Sequence, residues 1–197
     1  LVLLSLRGLD FPVYISDRSQ PDKDLGRLHN FLRNLLYHKA TGYIAQTSQA
    51  AEIAEFKQWN KNISTIGNPV RKFTLHESKQ ENTVLSIGRL IPTKNIDKLI
   101  ELFSRIDDPY WKLKVIGGNA KKLDLLSMYK SQVEELGKTS QIKLLGEQKN
   151  TEEYLAKSKI FAFTSTSEGF PNALAEAMSA GCACIAYDCV AGPSDLI

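Results

Sequence analysis

The chain has 197 residues, 43% of them hydrophobic and 24% charged, and its formal net charge is +3 at pH 7. This composition is typical of a globular protein, and the charge is too small to predict nucleic-acid binding by itself. No apolar run approaches the roughly 18 residues that a membrane-spanning helix needs, and the length allows one large domain or two small ones.

Residues 1–70 combine short apolar runs with predicted helices. Four runs are rich in residues that favour buried strands: Leu1–Leu6, Pro12–Ser16, Tyr43–Gln46 and Ile63–Ile66. Thr47 or Ser48 is a suitable N-cap for a helix that runs to about Trp59. Because the chain opens on a predicted strand without a methionine and ends where a helix begins near Asp195, we expect it to be a fragment of a longer protein.

A second helix is predicted over Asp24–Ala40, where one stripe is apolar and the other face is basic. The stripe comprises Leu25, Leu28, Leu32, Leu35 and Leu36, and the other face carries Arg27 and Arg33. In one interpretation the stripe packs in the core and the basic face is solvated. In the other, the basic face contacts anionic lipid or a lipid-linked phosphate.

The composition changes after Val70. Residues 71–82 are polar without regular periodicity, which predicts a linker between a lobe at 1–70 and a second lobe at 83–197. The second lobe alternates strands and helices, which indicates a parallel sheet with helices on both faces. Its strands are predicted at Thr83–Gly88, Trp111–Ile116, Ile142–Leu145, Ile160–Thr164 and Cys182–Tyr187.

The intervening helices are predicted at Asn95–Ile106, Lys121–Leu136, Thr151–Ser158 and from Pro171 to Gly181. Three cysteines, Cys182, Cys184 and Cys189, lie on or beside the last strand without a CxxC spacing. They predict buried free thiols, with a metal or redox site as the alternative.

Three loops follow strand ends, where doubly wound sheets bind their ligands. In the first loop, Gly88 permits a sharp turn, while Arg89 and Lys94 supply two cations that suit a diphosphate. The alternative is two solvated surface charges. In the second loop, Gly117 and Gly118 permit close backbone approach to a ligand or make an ordinary turn.

The third loop leads into the last helix, in the stretch S-T-S-E-G-F-P-N-A-L-A-E-A-M-S-A-G of residues 165–181. Pro171 suits the first helical turn, and the amides that follow it lack intrahelical partners and can bind phosphate or sugar oxygens. Glu168 and Glu176 are either exposed acids or acceptors for vicinal hydroxyls. Together with the two cations, these groups fit a nucleotide-diphosphate sugar.

These motifs resemble those of the retaining GT-B glycosyltransferases of family four. The resemblance rests on S-I-G-R-L-I-P-T-K-N, on L-L-G-E-Q-K-N, and on the Glu-x7-Glu pattern formed by Glu168 and Glu176. In the first half, Y-I-S-D-R-S-Q-P and I-G-N-P-V are similar to the family's motifs more loosely. The ending A-Y-D-C-V-A-G-P-S-D-L-I resembles members that transfer galactose-type or N-acetylhexosamine residues in bacterial surface-glycan assembly.

The resemblance implies two Rossmann-like lobes, of which the N-terminal one is incomplete here. It implies that Arg89 and Lys94 hold the donor diphosphate and act in catalysis with Glu168, which contacts the sugar, while Glu176 binds the ribose. The resemblance also implies that the loop of residues 146–149 lies near the base of the nucleotide. The implied donor-binding residues are Gly88, Arg89, Lys94, Gly117, Gln148, Glu168, Gly169, Phe170, Asn172, Ala173 and Glu176. Neither a metal nor a cofactor is expected, because these cations and the helix dipole take the metal's role.

The implied function is transfer of a hexose or N-acetylhexosamine from a UDP-sugar to a glycan or lipid-linked acceptor, with retention of configuration, in bacterial polysaccharide biosynthesis. The expected location is the cytoplasm, including the inner face of the membrane through helix 24–40, and no nucleic-acid partner is expected. Two alternatives stay open: a non-catalytic nucleotide-sugar-binding subunit and a GT-B epimerase.

Overall fold

The computed structural model describes residues 2–6, 8, 10–73, 79–120 and 123–197. The chain forms two compact units: the first contains Leu1–Pro69, Ser167–Pro171 and Asp188–Ile197, and the second contains Val70–Thr166 and Asn172–Tyr187. The sequence interpretation assigned all of 83–197 to one lobe, whereas two stretches of that range pack within the first unit. Within the predicted linker, residues 74–78 lie outside the described residues.

The first unit contains a three-stranded parallel sheet in the order β1-β2-β3. Its elements are α1 (Val2–Ser5), β1 (Tyr14–Ser16), α2 (Arg27–Leu36) with a 3₁₀ turn at Tyr37–Lys39, β2 (Gly42–Ala45), α3 (Ser48–Phe56) and β3 (Ile63–Thr65). As predicted, Thr47 is the N-cap of α3, and its hydroxyl accepts a hydrogen bond from the Ala50 amide at 3.1 Å. The core includes Tyr43, Ala45 and Trp59.

The prediction of a buried strand at Leu1–Leu6 is wrong. Val2–Ser5 forms a single helical turn, in which the Leu6 amide donates to the Val2 carbonyl at 3.0 Å. Val2 and Leu4 are exposed. A short apolar run fits either element by periodicity alone, and β1 has no strand partner in this segment among the described residues.

Only part of the predicted leucine stripe of α2 packs in the core: Leu36 is buried, whereas Leu28 and Leu35 are exposed. The Arg33 side chain is 6% exposed, lies 4.6 Å from the Trp59 ring centroid and is 3.6 Å from an Asp17 carboxylate oxygen. In contrast, Leu28 is 67% exposed and Phe31 is 62% exposed. A buried guanidinium is tolerated when it is paired and hydrogen-bonded, and here it also donates to two backbone carbonyls.

The second unit contains five parallel strands in the order β6-β5-β4-β7-β8. All five predicted strands and four predicted helices are present, with boundaries shifted by a few residues. The strands are β4 (Glu81–Ile87), β5 (Lys112–Ile116), β6 (Ile142–Leu144), β7 (Ser158–Phe163) and β8 (Ala183–Ala186). The helices are α4 (Ile96–Ser104), α5 (Leu125–Glu135), α6 (Thr151–Lys157) and α7 (Asn172–Ser179).

Successive strands are added on one side of β4 as far as β6, and then on its other side as β7 and β8. The boundary between β4 and β7 is therefore the topological switch point of the sheet. Right-handed crossovers place α4 and α5 on one face, and α6 and α7 on the other. Both faces are covered, because Val84 and Ala162 belong to one apolar cluster while their neighbours Leu85 and Phe161, which point the other way, are also buried. In such sheets a crevice forms outside the carboxyl ends of the two central strands.

No helix within the described residues is long and apolar enough to cross a membrane.

Candidate functional site

The loops after β4 and β5 lie directly against each other at the carboxyl edge of the second unit's sheet. The Gly88 amide donates to the Ile116 carbonyl at 2.9 Å, and the Leu90 amide donates to the Gly118 carbonyl at 2.9 Å. A Cβ atom added to Gly117 would lie 1.8 Å from the Gly88 carbonyl oxygen. Gly117 is therefore required for packing of one loop backbone on the other.

Replacing Gly117 with Ala is expected to lower the free energy of unfolding by about 2 kcal/mol or more, because the new methyl group meets backbone atoms that cannot move independently. Chemical denaturation measures this change. Gly118→Ala is the matched control, since its Cβ would meet only the flexible Glu147 side chain at 3.3 Å. Equal losses in the two variants would contradict the packing role of Gly117.

Lys94 is the last residue of a 3₁₀ turn, Pro92–Lys94, that precedes α4. Its ammonium nitrogen lies 5.4 Å from the centroid of the Phe163 ring at the end of β7. A Cβ atom at Gly88 would approach Lys94 Cε to 3.3 Å, so the glycine leaves room for this side chain. The structure thus brings Gly88 and Lys94 together at the junction of β4 and β7.

Arg89 is exposed, and its guanidinium takes part in no hydrogen bond or ion pair among the described residues. Its side chain is therefore not engaged in holding the fold of the part of the chain that is described. A cation in this state beside Gly88 is available for an anionic ligand.

Helix α7 begins at Asn172, directly after the buried Pro171. Leu174 and Ala177 are buried and fix the helix on the sheet, whereas Glu176 is half-buried. Within the described ranges the Glu176 carboxylate makes no hydrogen bond or ion pair. The structure therefore leaves the acceptor oxygens of Glu176 available, while Asn172 and Ala173 form the first turn of the helix.

Glu168, Gly169 and Phe170 belong to the first unit, unlike the other predicted donor-binding residues. A Cβ atom on Gly169 would lie 2.2 Å from the Arg18 carbonyl oxygen, so the glycine allows backbone contact with the loop after β1. The Ser167 hydroxyl also donates to the Gln20 side-chain oxygen in that loop. This packing role was not predicted from the sequence; its signal was the joint presence of the Y-I-S-D-R-S-Q-P and S-E-G-F-P motifs.

Gln148 holds the shape of the loop after β6. The side-chain nitrogen of Gln148 donates to the Leu145 carbonyl at 2.7 Å, and its side-chain oxygen accepts from the Tyr154 hydroxyl at 3.4 Å. The Gly117 amide donates to the Gly146 carbonyl at 2.8 Å, which places this loop beside the one after β5. Backbone hydrogen bonds thus join the loop after β5 to the loop after β4 on one side and to the loop after β6 on the other.

None of the three cysteines forms a disulfide, and Cys182 and Cys189 are buried while Cys184 is half-buried. Burial raises the pKa of the Cys182 thiol to about 11, so the thiol is neutral at physiological pH. Across the described ranges, no three His, Cys, Asp or Glu side chains are grouped so that they could hold a metal ion. The cysteines match the free-thiol interpretation, and independence of catalysis from a metal stays a prediction.

A family sequence model described as "Glycosyl transferases group 1" matches residues 69–197. The chain is 30% identical over 145 residues to the amylovoran biosynthesis glycosyltransferase AmsD of Erwinia amylovora, covering 70% of this chain and 40% of AmsD. It is also 30% identical over 177 residues to the N-acetylgalactosamine-N,N'-diacetylbacillosaminyl-diphospho-undecaprenol 4-alpha-N-acetylgalactosaminyltransferase of Campylobacter jejuni, covering 86% of this chain and 47% of that protein. The chain spans less than half the length of these relatives.

Solved structures of glycosyltransferases have a similar fold. A mutant of S. aureus TarM in complex with fondaparinux, alpha-GlcNAc-glycerol and UDP matches with a TM-score of 0.79 and 25% identity, over 93% of this chain and 38% of TarM. The apo form of the lipopolysaccharide outer core galactosyltransferase WaaB matches with a TM-score of 0.67 and 28% identity, over 80% of this chain and 46% of WaaB. Together with the parallel sheets, these matches confirm the predicted α/β fold of the GT-B type.

Proposed function

This chain belongs to the group 1 glycosyl transferases, and from that membership we propose that it carries the donor site of a retaining enzyme. The enzyme transfers a hexose or N-acetylhexosamine from a UDP-sugar to a glycan or lipid-linked acceptor in bacterial surface-polysaccharide biosynthesis. The observation that carries the proposal is the position of Lys94, whose ammonium group lies at the carboxyl ends of β4 and β7, against Gly88 and Phe163.

The two cations supply the electrostatic part of the proposed mechanism. As the bond from the sugar to the diphosphate breaks, negative charge grows on the departing diphosphate. Arg89 binds its oxygens with a planar set of donors, and Lys94 acts as a point charge on the same group. These positive charges and the amides at the start of α7 replace a metal ion in this proposal.

The two glutamates are proposed to bind the neutral parts of the donor. Glu176 accepts hydrogen bonds from the ribose hydroxyls, and its half-buried position without a described partner supports this role. Glu168 contacts sugar hydroxyls near the reacting carbon and stabilises the oxocarbenium-like transition state. Transfer occurs on the face of the sugar that carries the departing diphosphate, so the anomeric configuration is retained.

The relatives support the proposed donor and acceptor classes. The TarM structure contains UDP and alpha-GlcNAc-glycerol, and the Campylobacter relative is named for transfer of N-acetylgalactosamine to a diphospho-undecaprenol-linked sugar. The test is to incubate the full-length protein with labelled UDP-hexoses and UDP-N-acetylhexosamines, with and without EDTA. The proposal requires that an α-linked donor gives an α-linked product, and that EDTA does not reduce the amount of product. Donor binding without product would indicate a binding subunit, and an isomerised free donor would indicate an epimerase.

We also propose that α2 contacts anionic membrane lipid. Leu28, Phe31 and Leu35 share one face of the helix by their spacing, and all three are exposed. Arg27 is the nearest exposed cation on the helix, and no acidic residue occurs between Leu25 and Ala51. An exposed apolar face with basic residues beside it is the arrangement that binds at a lipid interface.

Replacing Leu28 and Phe31 together with Ser is expected to weaken binding to phosphatidylglycerol vesicles at least about tenfold, because two apolar side chains no longer enter the lipid interface. Sedimentation with vesicles measures this change, and phosphatidylcholine vesicles show the contribution of lipid charge. Phe56→Ser is the matched control, because Phe56 is 86% exposed on α3 of the same unit. Unchanged binding of the double variant would refute the role of α2.

A further inference from the structure

A hydrogen bond fastens the backbone of Lys94 to the end of β7. The Thr164 hydroxyl donates to the Lys94 carbonyl at 2.7 Å. Thr164 directly follows the last residue of β7 and is only 7% exposed. The strand end therefore carries both the anchor of the Lys94 backbone and, one residue earlier, the Phe163 ring that lies beside the Lys94 ammonium group.

A second set of hydrogen bonds reinforces the same junction. The Thr166 amide donates to the Thr93 carbonyl at 2.8 Å, and the Thr166 hydroxyl donates to the same carbonyl at 3.2 Å. Thr166 is exposed, whereas Thr164 is buried. The hydrogen bond from the Thr164 hydroxyl is part-buried, whereas the one from the Thr166 hydroxyl is exposed. Removing the Thr164 hydroxyl therefore costs more, because water compensates less for a less exposed hydrogen bond.

The 3₁₀ turn that carries Lys94 is only three residues long, so its position depends on contacts with other elements. The amides of Lys94 and Asn95 donate back to Ile91 and Pro92 at 3.0 and 3.1 Å, which closes a single 3₁₀ turn. Asn95 then adopts a left-handed conformation, with φ of 50°. A short turn that ends in this way has few internal hydrogen bonds, so contacts from β7 determine where Lys94 lies.

We propose that Thr164 is a positioning residue for Lys94. This inference rests on the proposed donor site, in which Lys94 binds the diphosphate. The Thr164 hydroxyl fixes the Lys94 main chain against the end of β7. The side chain then extends between Gly88 and the Phe163 ring. Thr164 itself does not contact the donor; it acts through Lys94.

The test compares Thr164→Val, which removes the hydroxyl at nearly constant volume, with Thr164→Ser, which keeps it. Titration calorimetry with UDP is expected to show about five- to tenfold weaker binding by T164V and near-normal binding by T164S. The same T164V change is then made in the Lys94→Ala protein. Because Thr164 acts through Lys94, the second change should have no further effect on UDP affinity in that background.

Thr83→Val is the matched control, because Thr83 is 2% exposed and lies near the start of β4, at the other end of the sheet. It is expected to leave UDP affinity unchanged even if it alters thermal stability. Equal losses of UDP affinity from T164V with and without Lys94, or no rescue by T164S, would overturn the inference. Absence of UDP binding by the unmodified protein would instead overturn the proposed function.

Discussion

Replacing Lys94 with Ala is expected to lower kcat/KM for sugar transfer by about 10²- to 10³-fold, since a positive charge no longer stabilises the departing diphosphate. UDP affinity should also fall, because the charge acts on the diphosphate before and during transfer. Lys94→Arg should restore only part of the activity: the space beside Gly88 accommodates a narrow alkyl chain, and a planar guanidinium has a different shape. Initial rates with a UDP-sugar and calorimetry with UDP give the two measurements.

Lys98 provides the control for this substitution. It lies on α4, four residues after Lys94, and its ammonium group forms an exposed ion pair with Glu101 at 3.0 Å. Surface ion pairs contribute little to stability, so Lys98→Ala should leave both transfer and UDP binding close to normal. If K94A retained normal transfer, or if K98A were equally impaired, Lys94 would not be the diphosphate-binding cation.

Replacing Glu168 with Gln is expected to lower kcat by about 10²- to 10³-fold while leaving UDP affinity within about twofold of normal. The amide keeps the shape of the side chain but removes the negative charge that stabilises the oxocarbenium-like transition state. UDP lacks the transferred sugar, so its affinity should not depend on this carboxylate. The loss in kcat without loss of UDP binding separates Glu168 from the diphosphate-binding cations.

Glu153→Gln is the control for the loss of one carboxylate. Glu153 is exposed on α6, and it lines a cavity together with Glu81 at the start of β4 and Lys114 on β5. Its substitution should change neither kcat nor UDP affinity. Normal transfer by the Glu168 variant would show that the reaction does not need this carboxylate, even if the remaining donor site were correct.

The second unit could be predicted from sequence because several signals agreed there. Apolar strands alternated with amphipathic helices, and glycines marked the turns after β4 and β5. In a parallel sheet the strand ends converge on one edge, so the sequence order alone placed Gly88, Lys94 and Gly117 near one another. The hydrogen bonds and the Gly117 contact observed at this edge agree with that expectation.

The first unit was less predictable because two of its features depend on contacts distant in sequence. The orientation of α2 is set by Arg33, whose burial requires Asp17 and Trp59, and no periodicity in the helix itself encodes those partners. Likewise, Gly169 contacts the Arg18 carbonyl, about 150 residues earlier in the chain. A local pattern shows that a glycine is needed, but it does not show which backbone approaches it.

The discontinuity of the first unit has a consequence for the order of folding during synthesis. Ala191 is fully buried in the core of this unit, the Ala191 amide donates to the Gln49 side chain at 2.6 Å, and the Asp195 carboxylate accepts from the Ser48 amide at the start of α3. These partners emerge from the ribosome only after nearly all of the second unit. The second unit can therefore complete its sheet first, whereas residues 1–69 keep part of their core uncovered until residues 188–197 have been synthesised.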